Sequence, residues 1–380
     1  MSSDLPSTTP PDGKLTGTVV AVQANYYFVQ LDTTSAASAN LPPALHQPQQ
    51  LLCTRRTRLK KIGQKVMVGD QVVVDQPDWQ GKRGAISQVL PRSSQLDRPP
   101  IANANQILLV FAIEEPTLDP HQLTRFLVKA ESTGLQICLC LSKCDLIDAA
   151  AQAAWHDRLK PWGYDPVFIS TYHGIGLEQL KQQLRRGMTI VSGPSGVGKS
   201  SLINQLIPAA DLRVSEVSGK LGRGRHTTRH VELFELADGG LLADTPGFNQ
   251  PDLDCSPEAL TQYFPEIAQR LQTGNCQFNN CRHHAEPGCV VQGEWERYPL
   301  YVQFLTEAIE RQQQQQQQAD PDAIMKRKVR GKDQVTYEPR LNRHKYRQES
   351  RRSTKQSVQV MKGRVEDFLD HSDQAPDEEA

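Results

Sequence analysis

Gly193-Pro194-Ser195-Gly196-Val197-Gly198-Lys199-Ser200 decides how this chain is read. It fits the pattern G-x-x-x-x-G-K-[ST] at every fixed position. An apolar strand-like run, Thr189-Ile-Val-Ser, precedes it, and an apolar helical run, Ser201-Leu-Ile-Asn-Gln-Leu-Ile, follows. The glycines let successive backbone N–H groups turn inward around an anion, and the helix N-terminus behind them adds a favourable dipole. In such a loop Lys199 reaches the β- and γ-phosphates of a nucleotide, and the Ser200 hydroxyl holds Mg²⁺. Pro194, Ser195, Val197 and Ser201 belong to the same phosphate cradle.

Two further segments complete a phosphate site. Leu242-Ala-Asp-Thr-Pro-Gly-Phe places Asp244 at the end of an apolar strand, where it can hold the metal through a water. Gly247 can offer its N–H to the γ-phosphate. Between loop and Asp244 lies Gly219-Lys-Leu-Gly-Arg-Gly-Arg-His-Thr-Thr-Arg-His, glycine-rich and basic. Thr227 or Thr228 there is placed to complete the magnesium shell, as a switch ordered by the γ-phosphate does.

The base is read upstream. Leu139-Cys-Leu-Ser-Lys-Cys-Asp ends a buried strand with a polar tip. Asp145 can accept hydrogen bonds from N1–H and the exocyclic amine of guanine, a pair that adenine does not offer. Lys143 can lay its stem over the base, and Ser170 and Thr171, after the next strand, can offer an N–H to guanine O6. These base-reading elements precede the phosphate loop, the reverse of the usual order in GTPases. A circular permutation explains this with sheet and pocket intact.

Around this segment the pattern organises the chain. From Ile107 to Ser192 buried strands alternate with helices, the sign of a parallel sheet flanked by helices. The expected α/β domain covers residues 99–253. Residues 14–98 carry about five short strands, Lys65-Val-Met-Val among them, and predict a small closed β-barrel of the OB type. Arg55, Arg56, Arg58, Lys60 and Lys61 cluster on one strand and its turn, either a solvated face or an RNA-contacting one. Residues 1–13 are expected to be disordered, and residues 33–50 an exposed loop insertion.

Cys276, Cys281 and Cys289 fall within fourteen positions, with His283 and His284 between them. Three thiolates and one imidazole make a closed tetrahedral zinc set, structural rather than catalytic, bracing a small helical domain over 254–311. Either histidine can complete it. Cys53, Cys138, Cys140, Cys144 and Cys255 read as small buried residues. Beyond Gln312–Gln318, twelve basic residues between Asp322 and Lys355 face four acids, and an acidic end follows. The formal charge of zero, from 43 basic and 43 acidic residues, therefore hides a basic arm. This low-complexity and charged tail covers 312–380, and its basic part is expected to stay unstructured until it meets RNA, with Tyr337 and Tyr346 available to stack. No run of apolar residues has the length of a membrane helix. The expected setting is a cytoplasmic monomer.

This ensemble resembles the circularly permuted, small-ribosomal-subunit-dependent GTPases of the RsgA (YjeQ) family. The resemblance rests on Cys53 with its basic run, Gly69-Asp70, Arg98-Pro-Pro-Ile-Ala-Asn, the phosphate loop, Gly224-Arg-His-Thr-Thr, Asp244-Thr-Pro-Gly-Phe and Glu286-Pro-Gly-Cys289. It implies an OB-fold barrel, a permuted GTPase domain and a zinc-binding C-terminal domain with His283 as the ligand. It also implies GTP hydrolysis late in small-subunit assembly, contact with rRNA and other assembly factors, and strong stimulation by the subunit. His226 becomes the intrachain candidate to position the attacking water, since Phe248 stands where a Ras-like enzyme has glutamine. Three features depart from the pattern: Ser142 replaces the usual Asn of the guanine motif, the 33–50 loop is long, and the tail extends past the usual end. Two rival readings are a GTP-dependent switch acting on a non-ribosomal protein, and an RNA-binding module whose nucleotide only stabilises the fold.

Overall fold

The computed structural model describes residues 14–32, 50–207, 231–237, 239–244 and 252–318, and two further strands at 325–330 and 334–339. Five strands form the barrel: β1 (Leu15–Gln23), β2 (Tyr26–Leu31), β3 (Gln50–Arg55), β4 (Gln71–Asp78) and β5 (Arg83–Val89). They pair in the order β1-β2-β3-β5-β4, and β4 returns to β1, so the sheet closes. Closure leaves few exposed edges. Alternate residues turn inward, as the pleat requires. Tyr27, Val29 and Leu31 of β2 meet Leu51 and Cys53 of β3, with Val19, Val72, Val74 and Ile86.

The sequence reading is corrected here in two places. The run from Leu51 does not continue as a strand to Leu59. It stops at Arg55 and turns into a one-turn helix, α1 (Thr57–Lys61), so Arg58, Lys60 and Lys61 ride on a helix that buries only Leu59. Lys65–Val68 is no barrel strand either, pairing only through a bridge from Val68 to Ile101. Its backbone instead wraps a buried carboxylate. Asp70 accepts from the N–H of Met67 (2.7 Å) and from Arg92 Nε (2.7 Å) and Nη2 (2.9 Å). Asn103 Nδ2 donates to the carbonyl of Gly69 (2.9 Å), and the short strands β6 (Gln95–Asp97) and β7 (Pro100–Ala102) pair alongside. A Cβ on Gly69 would sit 2.1 Å from the carbonyl oxygen of Ala102, so only glycine permits this approach. This neck joins the barrel to the next sheet.

The second sheet runs β10 (Val167–Phe168), β9 (Gln136–Ser142), β8 (Gln106–Ala112), β11 (Met188–Ser192), β13 (Leu241–Asp244), β12 (Glu232–Glu235). All neighbours are parallel except β12 with β13. β8 is buried on both faces, as a central parallel strand should be. Leu108, Val110 and Ala112 face α4 (Leu177–Leu184) and α5 (Lys199–Leu206). Leu109, Phe111 and Ile113 face α2 (Pro120–Glu131) and α3 (Ala149–Leu159). A bulge in β1 between Val19 and Ala21 lets Ala21 pair with Glu232 of β12, so barrel and nucleotide sheet are continuous.

Three helices follow: α6 (Pro257–Leu260), α7 (Pro265–Thr273) and α8 (Tyr298–Gln318). Their core gathers Leu253, Leu260, Phe264, Ile267, Val291, Tyr301 and Phe304 around Val128 of α2. A separate unit begins at Glu310. Two parts of the tail take regular structure, and the second of them corrects the disorder expected of the basic part. The glutamine run is helical, as good glutamine propensity allows when a formed helix leads into it. Further on, β14 (Met325–Arg330) pairs antiparallel with β15 (Gln334–Pro339). Of the five cysteines expected in cores, four are buried and Cys255 is half-buried. Among the described residues no helix is long and apolar enough to cross a membrane.

Asp70 is wholly buried in the neck, and its loss leaves the N–H of Met67 without its acceptor and takes two bonds from Arg92, which keeps Gln95 and the carbonyl of Lys65. Asp70→Ala should therefore destabilise the fold by about 2 kcal/mol. Denaturant titration of the variant checks this; a change under about 0.5 kcal/mol, the size of an ordinary surface substitution, would contradict it.

Candidate nucleotide site and metal centre

The parallel register brings the C-terminal ends of β8, β9, β10, β11 and β13 to one rim. Ala112 pairs with Ser142, Leu141 with Phe168, Leu109 with Ser192, and Val191 with Asp244. The chain also changes direction here, running outward from β8 through β9 to β10 and then returning to β11 on the other side of β8. Helices leave opposite faces on either side of that point, which opens a crevice at the strand ends.

The phosphate loop occupies this crevice. Gly193 has φ +143°, and a Cβ there would lie 2.1 Å from the carbonyl oxygen of Val110, so glycine is required by both backbone and space. Ser195 and Gly196 are exposed, whereas Gly198, Lys199, Ser200 and Ser201 are half-buried. Val197 and Pro194 are buried and anchor the loop. Lys199 Nζ curls back over the loop and donates to the carbonyls of Gly193 (2.9 Å) and Pro194 (2.6 Å). Burial pulls its ammonium below the ordinary lysine range, and the charge of Asp244 opposes that shift. Asp244 itself is half-buried at the end of β13.

The base-reading residues stand across the rim. Ser142 is buried, and its hydroxyl lies 2.6 Å from the carbonyl oxygen of Val197 and 3.2 Å from that of Phe111. The nearer contact ties the guanine motif directly to the phosphate loop. Serine, though shorter than asparagine, spans this gap because β9 and β11 flank the same strand. Lys143 takes a left-handed conformation, φ 58° and ψ 37°, and its Nζ donates to the carbonyl of Glu115. Asp145 is exposed at the opening of a single helical turn. The neighbouring Ser170 hydroxyl is the leading influence that holds its carboxyl below the usual range, helped by its own backbone N–H and by the charges of His173 and Lys143 against a slight effect of burial. The N–H of Ser170 is engaged with the carbonyl of Ile175 (3.1 Å). At Ser170, therefore, the N–H expected to face O6 is already engaged. His226, Thr227, Thr228 and Gly247 lie outside the described residues.

A second cluster lies between α7 and α8. Cys276, Cys281, His283 and Cys289 present one ligand atom each, all within 4.8 Å of one another. Cys276 Sγ stands 3.8 Å from Cys289 Sγ and 3.5 Å from His283 Nδ1, and His283 Nδ1 is 3.3 Å from Cys289 Sγ. His283 is buried in a left-handed conformation, φ 59°, which turns it inward; neighbouring His284 is exposed. Burial holds the His283 imidazole below its ordinary range, towards the neutral form that a metal takes. Glu286 organises the loop. It accepts from the N–H groups of Arg282 (2.9 Å), His284 (2.9 Å) and Ala285 (3.1 Å).

Sequence reading missed four of these contacts. The partner of Ser142, the hold of Ser170 on Asp145 and the Lys143 link to Glu115 join residues that no local pattern connects, whereas the Glu286 cradle is local. Glu286 alone carried a signal, as the acid in Glu286-Pro-Gly-Cys289.

A family model described as RsgA GTPase matches residues 89–254. The chain is 60% identical over 357 residues to the small ribosomal subunit biogenesis GTPase RsgA of Trichormus variabilis, spanning 91% of this chain and 96% of that protein. Its structure is similar to that of YjeQ from Thermotoga maritima, with a TM-score of 0.64, 30% identity, and coverage of 78% of this chain and 99% of that one. It is similar also to YloQ, described as a circularly permuted GTPase, with a TM-score of 0.63, 29% identity, and coverage of 78% and 96%.

Ser142→Ala removes the bridge between base and phosphate elements. It should weaken guanine nucleotide binding by about 1 kcal/mol, or roughly fivefold in Kd, with the fold retained; unchanged affinity by calorimetry would refute the bridge. Ser170→Ala tests the electrostatics of Asp145. A carboxyl with a depressed pKa stays ionised below the ordinary carboxyl range, and its charge is lost only as pH falls through the depressed value. Removing its leading cause should move the acid limb of GDP binding to higher pH, as read by titrating affinity against pH. No movement would show that Ser170 does not hold Asp145.

Proposed function

The chain belongs to the RsgA family of GTPases, and from that premise we propose that it hydrolyses GTP in the maturation of the small ribosomal subunit, stimulated by the subunit and its rRNA. The single observation that carries the nucleotide reading is the 2.6 Å contact of Ser142 with Val197, which holds base reader and phosphate loop as one site. Asp145 accepts from guanine N1–H and the 2-amino group, and rejects adenine by leaving a carboxylate without donors. The same reading divides the chain at about residues 98, 253 and 311, and sets it to work in the cytoplasm.

In the reaction water adds to the γ-phosphorus while the bond to the β–γ bridging oxygen breaks, and GDP leaves with the electron pair. The phosphate-loop amides and the ammonium of Lys199 stabilise the charge that moves onto the bridging and γ oxygens. Ser200, Thr228 and, through a water, Asp244 would hold Mg²⁺, which when bound neutralises the β- and γ-oxygens. His226 is our candidate to orient the attacking water, because Phe248 has no group that can accept a proton. An enzyme so equipped is slow alone, and docking supplies the missing order.

The donor set of the C-terminal cluster fits zinc. Zn–S of about 2.3 Å and Zn–N of about 2.0 Å in a tetrahedron require S···S of about 3.8 Å and S···N of about 3.5 Å. Among Cys276, His283 and Cys289 the observed separations are 3.8 Å between sulfurs and 3.5 and 3.3 Å from sulfur to nitrogen, and with Cys281 included all four ligand atoms lie within 4.8 Å of one another. All four positions are filled by protein, so the ion would brace the fold and take no part in hydrolysis.

Phosphate release from GTP and ATP, with and without small ribosomal subunits and at two salt concentrations, tests the proposal. Slow GTP turnover that rises strongly with the subunit, falls with salt and leaves ATP untouched is the expected result. Turnover indifferent to the subunit would remove the ribosomal part and favour a switch acting on a protein partner. Metal analysis should find one zinc per chain, and Cys289→Ser should lower that content and the stability of the C-terminal helices together; full zinc retention would refute the assignment.

A further inference from the structure

The metal module docks on two elements, and both frame the base-reading motif. The first is the link from α3 to β10. Arg297, wholly buried just before α8, donates to Glu266 of α7 from Nε (2.6 Å) and Nη2 (2.5 Å). Its guanidinium lies over the rings of Trp162 (4.7 Å), Phe264 (5.0 Å) and Tyr164 (5.7 Å). Its Nη1 is the one buried side-chain nitrogen or oxygen without a hydrogen-bond partner among the described residues. The aromatic cage is what surrounds this charge, as cation–π attraction favours. Trp162 Nε1 donates to Glu296 (2.9 Å), and the Tyr164 hydroxyl to Glu131 of α2 (2.8 Å). Three residues past Tyr164 the chain enters β10, and β10 leads to Ile169, whose carbonyl accepts from the N–H of Cys144 (3.1 Å), between Lys143 and Asp145.

The second element is α2. Arg125 pairs with Glu307 and lies over Phe304 (5.2 Å), and Lys129 pairs with Asp254 (3.4 Å). The loop leading into α2 provides the Glu115 carbonyl that takes Lys143 Nζ. On the module's side, the residues around Arg297 are tied to the metal loop. The Tyr298 hydroxyl donates to the carbonyls of His283 (3.1 Å) and His284 (3.2 Å), and the Tyr301 hydroxyl to that of Arg282 (2.5 Å).

We propose that Arg297 is a positioning residue for guanine recognition: through its cage and the α2 contacts, the metal-held module fixes Asp145 and Lys143 in the geometry that reads the base. The inference rests on Asp145 as the base reader. Linkage then makes the effect reciprocal, so bound GDP strengthens metal binding by the factor by which metal strengthens GDP binding.

The test uses the full-length, metal-loaded protein, titrated by calorimetry with GDP and with IDP, which lacks the 2-amino group. Replacing the buried pair together, Arg297→Met with Glu266→Leu, keeps the core apolar and avoids an unpaired charge. It should weaken GDP about tenfold and IDP less, shrinking the GDP preference. Arg125→Gln, at the partly exposed clamp, is the variant that keeps the fold without question, and should shift GDP in the same direction by about threefold. Chelation of the wild-type metal should lower GDP affinity, and saturating GDP should raise the metal's equilibrium affinity equally. Unchanged GDP affinity and GDP:IDP ratio in both variants and after chelation would overturn the proposal. Asp145→Asn serves as the separate control. If it leaves the GDP preference intact, the base reading itself fails, and the inference falls with it for that identified reason.

Discussion

Strand β8 is hydrogen-bonded to a parallel strand on each edge, β9 on one side and β11 on the other, and the site depends on that constraint. Parallel pairing forces the C-terminal ends of these strands to one rim, whatever order the chain visits them in. The chain visits them in the order β8, β9, β10, β11, β13, so base-reading residues come first in sequence and the phosphate loop later. In space they are neighbours. A permutation of this kind moves the connections and leaves the register alone, which is why the nucleotide site survives it.

The same constraint explains why Ser142 suffices where a longer asparagine is usual. β9 and the loop after β11 are both held against β8, and the Ser142 hydroxyl reaches Val197 without strain on either. Polar groups in this rim are paired to a high degree: Ser142 with Val197, Cys144 N–H with Ile169, Lys143 with Glu115, Lys199 with Gly193 and Pro194. Pre-pairing fixes donors and acceptors before nucleotide arrives, and a site fixed in advance loses less entropy on binding. Support comes from behind as well. The small C-terminal module has a modest core with the Cys276, Cys281, His283 and Cys289 cluster beside it, and an aromatic cluster and the Arg297–Glu266 pair hold it against α2 and the α3–β10 link.

Much of this was legible in the sequence because it is local. The phosphate loop is eight consecutive residues between a strand and a helix, and β8 announces burial on both faces through an unbroken apolar run. The five barrel strands and the cysteine knot follow from alternation and spacing in the same way. What was not legible is long-range. Residues 65–70 carry a strand-like Val-Met-Val, but the competition was won by Asp70, whose partner Arg92 lies 22 residues away. The turn at Arg56 into α1 separates a basic run that reads as one strand. Arg297 reads as a surface charge between Glu296 and Tyr298, since nothing in its neighbourhood signals Glu266 or the rings of Trp162 and Tyr164. Two adjacent histidines could not be separated by spacing, and the left-handed turn at His283 is what distinguishes them.

The central claim is that one rim, assembled by parallel register from segments up to a hundred residues apart, receives base and phosphates together. Hydrogen–deuterium exchange of the full chain, with and without GDP, tests it most directly. The account predicts that protection rises together at 142–145, at 170–171, through 193–200 and at Asp244. Protection confined to 193–200, with the segments after β9 and β10 unchanged, would contradict it.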